Sequence, residues 1–330
     1  MIHDVSLEGF KSFCNEDIKL SPLTLLTGLN SSGKSSVIQA IRILRNYSQG
    51  MYNPLLIGHG GKSELQNSFV KTPFTIKSSY CSGVDEKSIQ YDSGANAIVS
   101  QENDFPKLLY ISADRFGPRL SIPITQDEHL GERGENVLKC IEKYRDEILP
   151  AFLRHINSQG ETLGFNLKAW LTSISPGVKF EHHIQNHTDS SYALFNDHRA
   201  INVGFGLSYT LPVIAALLLG PITQQVVLIE NPEAHLHPKG QAELARLICL
   251  SVMAGSQVIV ETHSDHLFDG VRVFAKENNG FAKNVAIHWF ELDGNNNTII
   301  ESPKLDDNGR IDKWPIGMFD QFEINMEKLL

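Results

Sequence analysis

Hydrophobic and polar positions along this chain switch repeatedly between a strand-like and a helix-like period. Leu23-Thr24-Leu25-Leu26 is a short apolar run behind Pro22, as a buried strand would read. In Ser36 to Leu44, residues Val37, Ile38, Ile41 and Leu44 share one helical face. Residues 2–26 as a whole predict two strands around Gly9-Phe10-Lys11-Ser12-Phe13, with Phe10 and Phe13 as core residues. Phe69 to Ser79 and Ser88 to Val99 alternate over short stretches, predicting an antiparallel β layer, and Lys107 to Ser112 predicts a further strand. Val137, Leu138, Ile141 and Tyr144 fall at helical spacing, so 134–156 reads as mostly helical, interrupted at Pro150. Tyr209 to Leu219 is almost wholly apolar, and Pro212 is expected only near a first turn, which sets the helix start near Ser208. Gln225 to Ile229 and Ser256 to Val260 read as apolar strands ending in Glu230 and Glu261, with an amphipathic helix from Gln241 to Leu250 between them. Strands alternating with helices predict an α/β protein.

Composition narrows the class. A hydrophobic share of 41% and a charged share of 20% provide an ordinary core. The formal net charge of −9 gives no bulk electrostatic grip on nucleic acid. Cys14, Cys81, Cys140 and Cys249 lack C-x-x-C spacing, which predicts reduced thiols rather than a disulfide framework or zinc site. The opening Met1-Ile2-His3-Asp4-Val5 has neither a basic nor an apolar leader segment, and the longest apolar run, Leu211 to Leu219, is short for a bilayer. The expectation is a cytoplasmic protein without a membrane partner.

The chemistry concentrates in Gly28-Leu29-Asn30-Ser31-Ser32-Gly33-Lys34-Ser35, which fits the phosphate-loop pattern G-x-x-x-x-G-K-[ST] between a strand and a helix. Backbone N–H groups of such a loop face phosphate oxygens, and the helix N-terminus adds partial positive charge. Asn30, Ser31, Ser32, Gly33, Lys34, Ser35 and Ser36 are therefore the candidate ATP contacts, with Lys34 on the β/γ-phosphates and the Ser35 hydroxyl on Mg²⁺. A second anion site is expected where Gly204-Phe205-Gly206-Leu207-Ser208 opens the apolar helix, at Gly206 and Ser208. Glu230, at the C-terminal edge of its strand, is the second candidate Mg²⁺ ligand. His182, His183, His187 and His198 read as surface loop histidines, and His235 and His237 as turn-stabilising residues. Arg115 and Arg119 flank a turn and read equally as nucleotide or partner contacts and as solvated loop arginines.

G-F-K-S-F, followed by a strand and G-x-N-x-S-G-K-S-S, resembles the opening of the SMC/RecF branch of ABC-type ATPases. That resemblance implies nucleotide contacts for Lys11 and Ser12. Gly204 to Ser208 resembles the ABC signature in a divergent G-x-G-x-S form, which in the family covers the γ-phosphate held by a second subunit. Glu230-Asn231-Pro232-Glu233-Ala234-His235-Leu236-His237-Pro238 is similar to the E-x-P-E-x-H-L-H-P string of the overcoming-lysogenization-defect (OLD) type ATPases, and His263 matches the switch histidine. Trp314 to Asp320 resembles the W-P-x-G-F-F-D tail of a prokaryotic ATPase family. The implied fold is an ABC-type P-loop ATPase head with a mixed central sheet, an antiparallel β layer and a helical insert. No heptad repeat predicts a long coiled coil. Residues 1–200 would form an N-terminal lobe and 201–330 a C-terminal lobe of one composite ATPase domain.

The family usually places a glutamate after the Walker B acid, and here that position is Asn231. An amide orients water but does not accept its proton, so slow ATP hydrolysis is expected, with Glu233 as substitute base. The catalytic set is then Lys34, Glu230, Asn231, Glu233 and His263. The resemblance further implies a head-to-head homodimer or an assembly of dimers, acting as an ATP-dependent switch beside a separate effector, a nuclease, in antiviral defence. The rivals are a RecF-like DNA-binding repair clamp, a transporter nucleotide-binding subunit and an ATP-binding scaffold without turnover.

Overall fold

The computed structural model describes residues 1–95 and 104–330. In chain order the strands and helices are β1 (Asp4–Glu8), β2 (Asn15–Lys19), β3 (Leu23–Gly28), α1 (Lys34–Ser48), β4 (Thr75–Ser82), β5 (Asp85–Asp92), β6 (Leu108–Ile111) and β7 (Ile122–Pro123). There follow α2 (Val137–Lys143), α3 (Leu163–Ile174), β8 (Phe180–Gln185), β9 (Ser190–Phe195), β10 (His198–Arg199), α4 (Phe205–Thr223), β11 (Val226–Glu230) and α5 (Pro238–Met253). The remainder is β12 (Val258–Glu261), α6 (Asp265–Glu277), β13 (Val285–Leu292), β14 (Thr298–Glu301) and α7 (Gln321–Leu329). The chain forms two compact units, Met1–Leu108 with Asn278–Leu330, and Leu109–Glu277.

In the first unit an antiparallel layer runs β2-β1-β4-β5, and a mixed group runs β14-β13-β3, with β13 parallel to β3 and antiparallel to β14. The expected opening pair of strands is in fact three. Gly9, at φ 65°, turns β1 back into β2, and the chain then crosses to β3, whose residues are all buried. The expected alternation after Phe69 is β4 and β5, and the end of the second run, 96–99, lies outside the described residues. Helix α1 buries Val37, Ile38, Ile41 and Leu44, the predicted face, and packs on β1, β3, β4 and β5.

In the second unit β11 lies parallel to β12, and β8, β9, β10 and β7 form a small antiparallel layer. Helices α3, α4, α5 and α6 pack together around a core of Leu, Ile and Val. The region 134–156 is less helical than its spacing suggests: α2 stops at Lys143, and Leu149 donates its N–H to Glu161 O at 3.0 Å. That extended pairing takes main-chain groups a helix would have used. His182 and His183 are in strand β8 rather than a loop. The His182 ring stacks on Phe180 and bonds Glu142 at 3.1 Å, and burial lowers its pKa.

Helix α4 begins at Phe205, three residues before the expected start, and carries Pro212 and Pro221 inside it. Proline removes the bond to the carbonyl four residues back. For Pro221 that carbonyl is Leu217 O, and the buried Ser251 hydroxyl of α5 donates to it at 2.8 Å. α4 has the length and hydropathy of a membrane span, yet its most apolar window is 61% buried, as the central helix of this unit. Among the described residues there is no long coiled coil.

Candidate ATP site

The phosphate loop joins β3 to α1 within the first unit. Gly33 sits at φ 109°, and a Cβ there would lie 2.7 Å from Thr298 Oγ1 and 2.8 Å from Phe13 Cζ, so the position admits only glycine. Lys34 is buried, and its ammonium donates to Gly28 O at 3.1 Å and Leu29 O at 2.5 Å, folded back over the loop that would cradle phosphates. Ser32 closes the loop by donating its hydroxyl to Leu29 O at 2.7 Å. Asn30 and Ser31 are exposed, Ser35 is half-buried and Ser36 is buried in the first turn of α1.

Sequence reasoning missed Thr298. Its hydroxyl donates to Ser32 O at 2.8 Å and lies 2.7 Å from the Ser12 hydroxyl, while its N–H donates to Ser12 O at 2.8 Å. Ser12 thus donates to Thr298, and the relay ends on the phosphate loop. The Lys11 ammonium bonds Gln39 Oε1 of α1, and burial lowers its pKa. Ser12 thus reaches the loop through Thr298, and Lys11 reaches α1. No local signal could have revealed Thr298, which is 266 residues from Ser32.

In the second unit Glu230 ends β11, and its Oε2 accepts the Ala113 N–H at 3.2 Å. A carboxylate at that strand end is the hard oxygen chemistry that suits Mg²⁺. Asn231 follows at φ 44°, and its N–H donates to Glu261 O at 2.8 Å. Glu233 turns toward the switch segment, where Oε1 accepts the His263 N–H at 2.9 Å. Its Oε2 and Asn231 Oδ1 are shielded from solvent without a hydrogen-bond partner. Burial raises the Glu233 pKa above the ordinary carboxylate value, with the His263 amide opposing.

Side chains from the same string and from its neighbours build the surrounding turn. His237 Nδ1 accepts the Lys239 N–H at 3.3 Å and caps α5, as expected of a turn-stabilising histidine. His235 packs its ring against Phe205 and Tyr209. Ser264 caps α6 by accepting the Leu267 N–H at 2.9 Å and bonds Gln241, whose amide donates to Leu236 O at 2.8 Å. Arg115 is not a solvated loop arginine. It is 2% exposed and donates to Ser112 O at 2.8 Å, Glu230 O at 2.7 Å and Asn231 O at 2.7 Å. Arg119 is the exposed one, stacked on Phe116 at 3.5 Å. The first turn of α4 holds Gly206 and, one residue beyond Leu207, Ser208, both half-buried.

Residues 1–120 match a sequence-family model described as an AAA ATPase domain. Residues 199–269 match one described as an AAA domain of the AbiEii toxin, Type IV TA system kind. Residues 282–329 match a model described as a protein of unknown function (DUF3696). No curated protein matches the chain in sequence. Among solved structures, the chain is similar to an Smc head bound to the C-terminal winged-helix domain of ScpA, at 17% identity and TM-score 0.58, over 92% of this chain and 98% of that one. It is also similar to an Smc head with an extended coiled coil bound to a ScpA C-terminal domain from Pyrococcus furiosus, at 13% identity and TM-score 0.50, over 99% of each chain. These likenesses define the fold as that of an ABC-type ATPase head. With the two ATPase-domain matches, they support the coarser reading of an ATP-binding ATPase.

Proposed function

We propose that the chain is a slowly hydrolysing ATPase switch that works as a head-to-head homodimer and gates a separate effector, a nuclease, in cytoplasmic antiviral defence. Lys34 and the loop Asn30 to Ser36 hold the triphosphate, Lys11 and Ser12 border it, and the Gly206–Ser208 turn of a second copy covers the γ-phosphate. Ser35 and Glu230 would hold Mg²⁺, which supplies charge neutralisation at the phosphates when bound. His263 senses the γ-phosphate.

The observation that carries the reading is the pairing of Asn231 and Glu233. Asparagine after the Walker B acid leaves no proton acceptor there, while Glu233 keeps a shielded, unpartnered Oε2 and a raised pKa. A raised pKa favours proton acceptance, so the slow turnover rests on Glu233 standing two residues beyond the usual base position. Slow turnover keeps ATP between the copies long enough for binding, rather than each hydrolysis, to set the state. The Type IV toxin–antitoxin description of the family matching 199–269 supports the defence setting, by analogy. A DNA clamp would require a basic face, and the net charge is −9.

Mixing two dead variants tests the shared site. Lys34→Ala removes the phosphate grip, and Ser208→Arg obstructs the signature turn. In the mixture, a heterodimer rebuilds one intact pocket from the Ser208→Arg phosphate loop and the Lys34→Ala signature. Steady-state ATPase should be absent from each variant alone and return in the mixture. Failure to recover turnover, with both variants folded, would sink the dimer reading.

A further inference from the structure

We infer that Arg115 is a positioning residue that bolts the signature turn to the loop after Glu230 within one protomer, so that closure over a partner's nucleotide is felt by the protomer's own hydrolytic groups. This rests on the shared-site reading above. Three segments of the second unit converge on one guanidinium. From its own strand exit, Arg115 holds Ser112 O at 2.8 Å. From the Walker B strand it holds Glu230 O and Asn231 O, each at 2.7 Å. The guanidinium lies over the Tyr209 ring of α4, with 5.3 Å between its carbon and the ring centroid.

Tyr209 and its neighbours complete the link. The Tyr209 ring meets His235 edge-on at 4.8 Å, and Phe205 packs on the same imidazole at 5.7 Å. A Cβ at Gly206 would lie 2.7 Å from His235 O, so the first turn of α4 presses directly on the 231–237 backbone. Helix start and loop therefore touch at two places, the guanidinium and His235. Any displacement of Phe205–Tyr209 on meeting an anion is passed to the peptide between Glu230 and Asn231, which orients the Asn231 amide and sets the approach of Glu233.

The chemistry requires arginine. A planar fork can serve two or three carbonyls at once and still lie over a ring, which a compact ammonium cannot match. Burial lowers the Arg115 pKa to about 10, with Glu233 and Tyr209 the leading opposing influences. The group remains charged at neutral pH. Its Nε is shielded and unpartnered, so the residue accepts an incomplete hydrogen-bond set to hold this junction.

The test uses the intact protein as wild type, Arg115→Lys and Tyr209→Leu. Nucleotide affinity is read with ATPγS by calorimetry, folding by Tm, and turnover as a function of ATP concentration. For the wild type, coupling predicts a Hill coefficient above 1 for two sites. Arg115→Lys should lower kcat by roughly 10–100-fold, as loss of an orienting partner does, with affinity within about 2-fold and a Hill coefficient of about 1. Tyr209→Leu leaves the three carbonyl bonds in place and should lose cooperativity with a smaller fall in kcat. It serves alone if Arg115→Lys does not fold. A variant that lowers Tm and active fraction but keeps wild-type cooperativity overturns the inference, as does a wild type that is non-cooperative. Failed complementation between Lys34→Ala and Ser208→Arg is separate, because it removes the shared site itself.

Discussion

At the residue level, the proposed slow turnover rests on Asn231 and Glu233. Asn231 places an amide where a general base is expected, and its Oδ1 is shielded and unpartnered. Glu233 is tethered through one oxygen to the His263 amide and keeps the other unbonded. Asn231→Glu should raise kcat by about 10²-fold, the usual worth of a placed general base, and Glu233→Gln should lower it by a similar factor. Phosphate-release kinetics with saturating ATP check both, and an unchanged rate in Glu233→Gln would remove it from the chemistry. His288 makes a second prediction. It is buried, lies 2.7 Å from Lys19 O and 2.8 Å from Ser302 Oγ, and desolvation lowers its pKa. The unfolded chain then binds the proton more readily than the folded one, so stability falls as pH drops through about 6.5. The Tm of His288→Gln should fall less between pH 7.5 and 5.5 than that of the wild type.

At the level of elements, α4 shows how a helix with two internal prolines remains whole. Pro221 withdraws the donor for Leu217 O, and the Ser251 hydroxyl on α5 replaces it at 2.8 Å. Ser251→Ala should therefore lower unfolding free energy by about 1–3 kcal/mol, the cost of a buried acceptor left unmade. Chemical denaturation would show it, and a Ser251→Ala, Pro221→Ala double variant should recover part of the loss. The early start of α4 has the same lesson. Pro212 argued for a helix beginning near Ser208, because a proline deep in a helix normally breaks it. The turn Phe205–Ser208 forms nonetheless, with its Phe205 and Tyr209 rings packed on His235 and the Thr210 hydroxyl on Gly206 O at 2.6 Å. Packing outweighed a local penalty.

For the whole molecule, the proposed closure needs two copies, so specific activity should rise with protein concentration and then level off. Dilution assays of the wild type check this, and constant specific activity from low to high concentration would argue against obligatory pairing. Association should also depend on nucleotide, with ATP favouring the dimer in sedimentation and ADP not.

The amino-acid order alone determined the motifs whose chemistry is local. Gly33, Lys34 and Ser35 belong to one turn, and Glu230 to Glu233 follow one strand end, so backbone geometry at short spacing fixes their relation. Strand and helix periods likewise marked β3, α1, β11, α5 and β12. Tertiary structure alone decided that Thr298 braces Ser32, that Ser251 replaces a bond missing from Pro221, and that Arg115 holds the carbonyls of Glu230 and Asn231. These partners meet because the chain path brings distant main-chain acceptors and side-chain donors together in a dry interior. Burial requires such groups to be satisfied, but no spacing in the sequence says by whom.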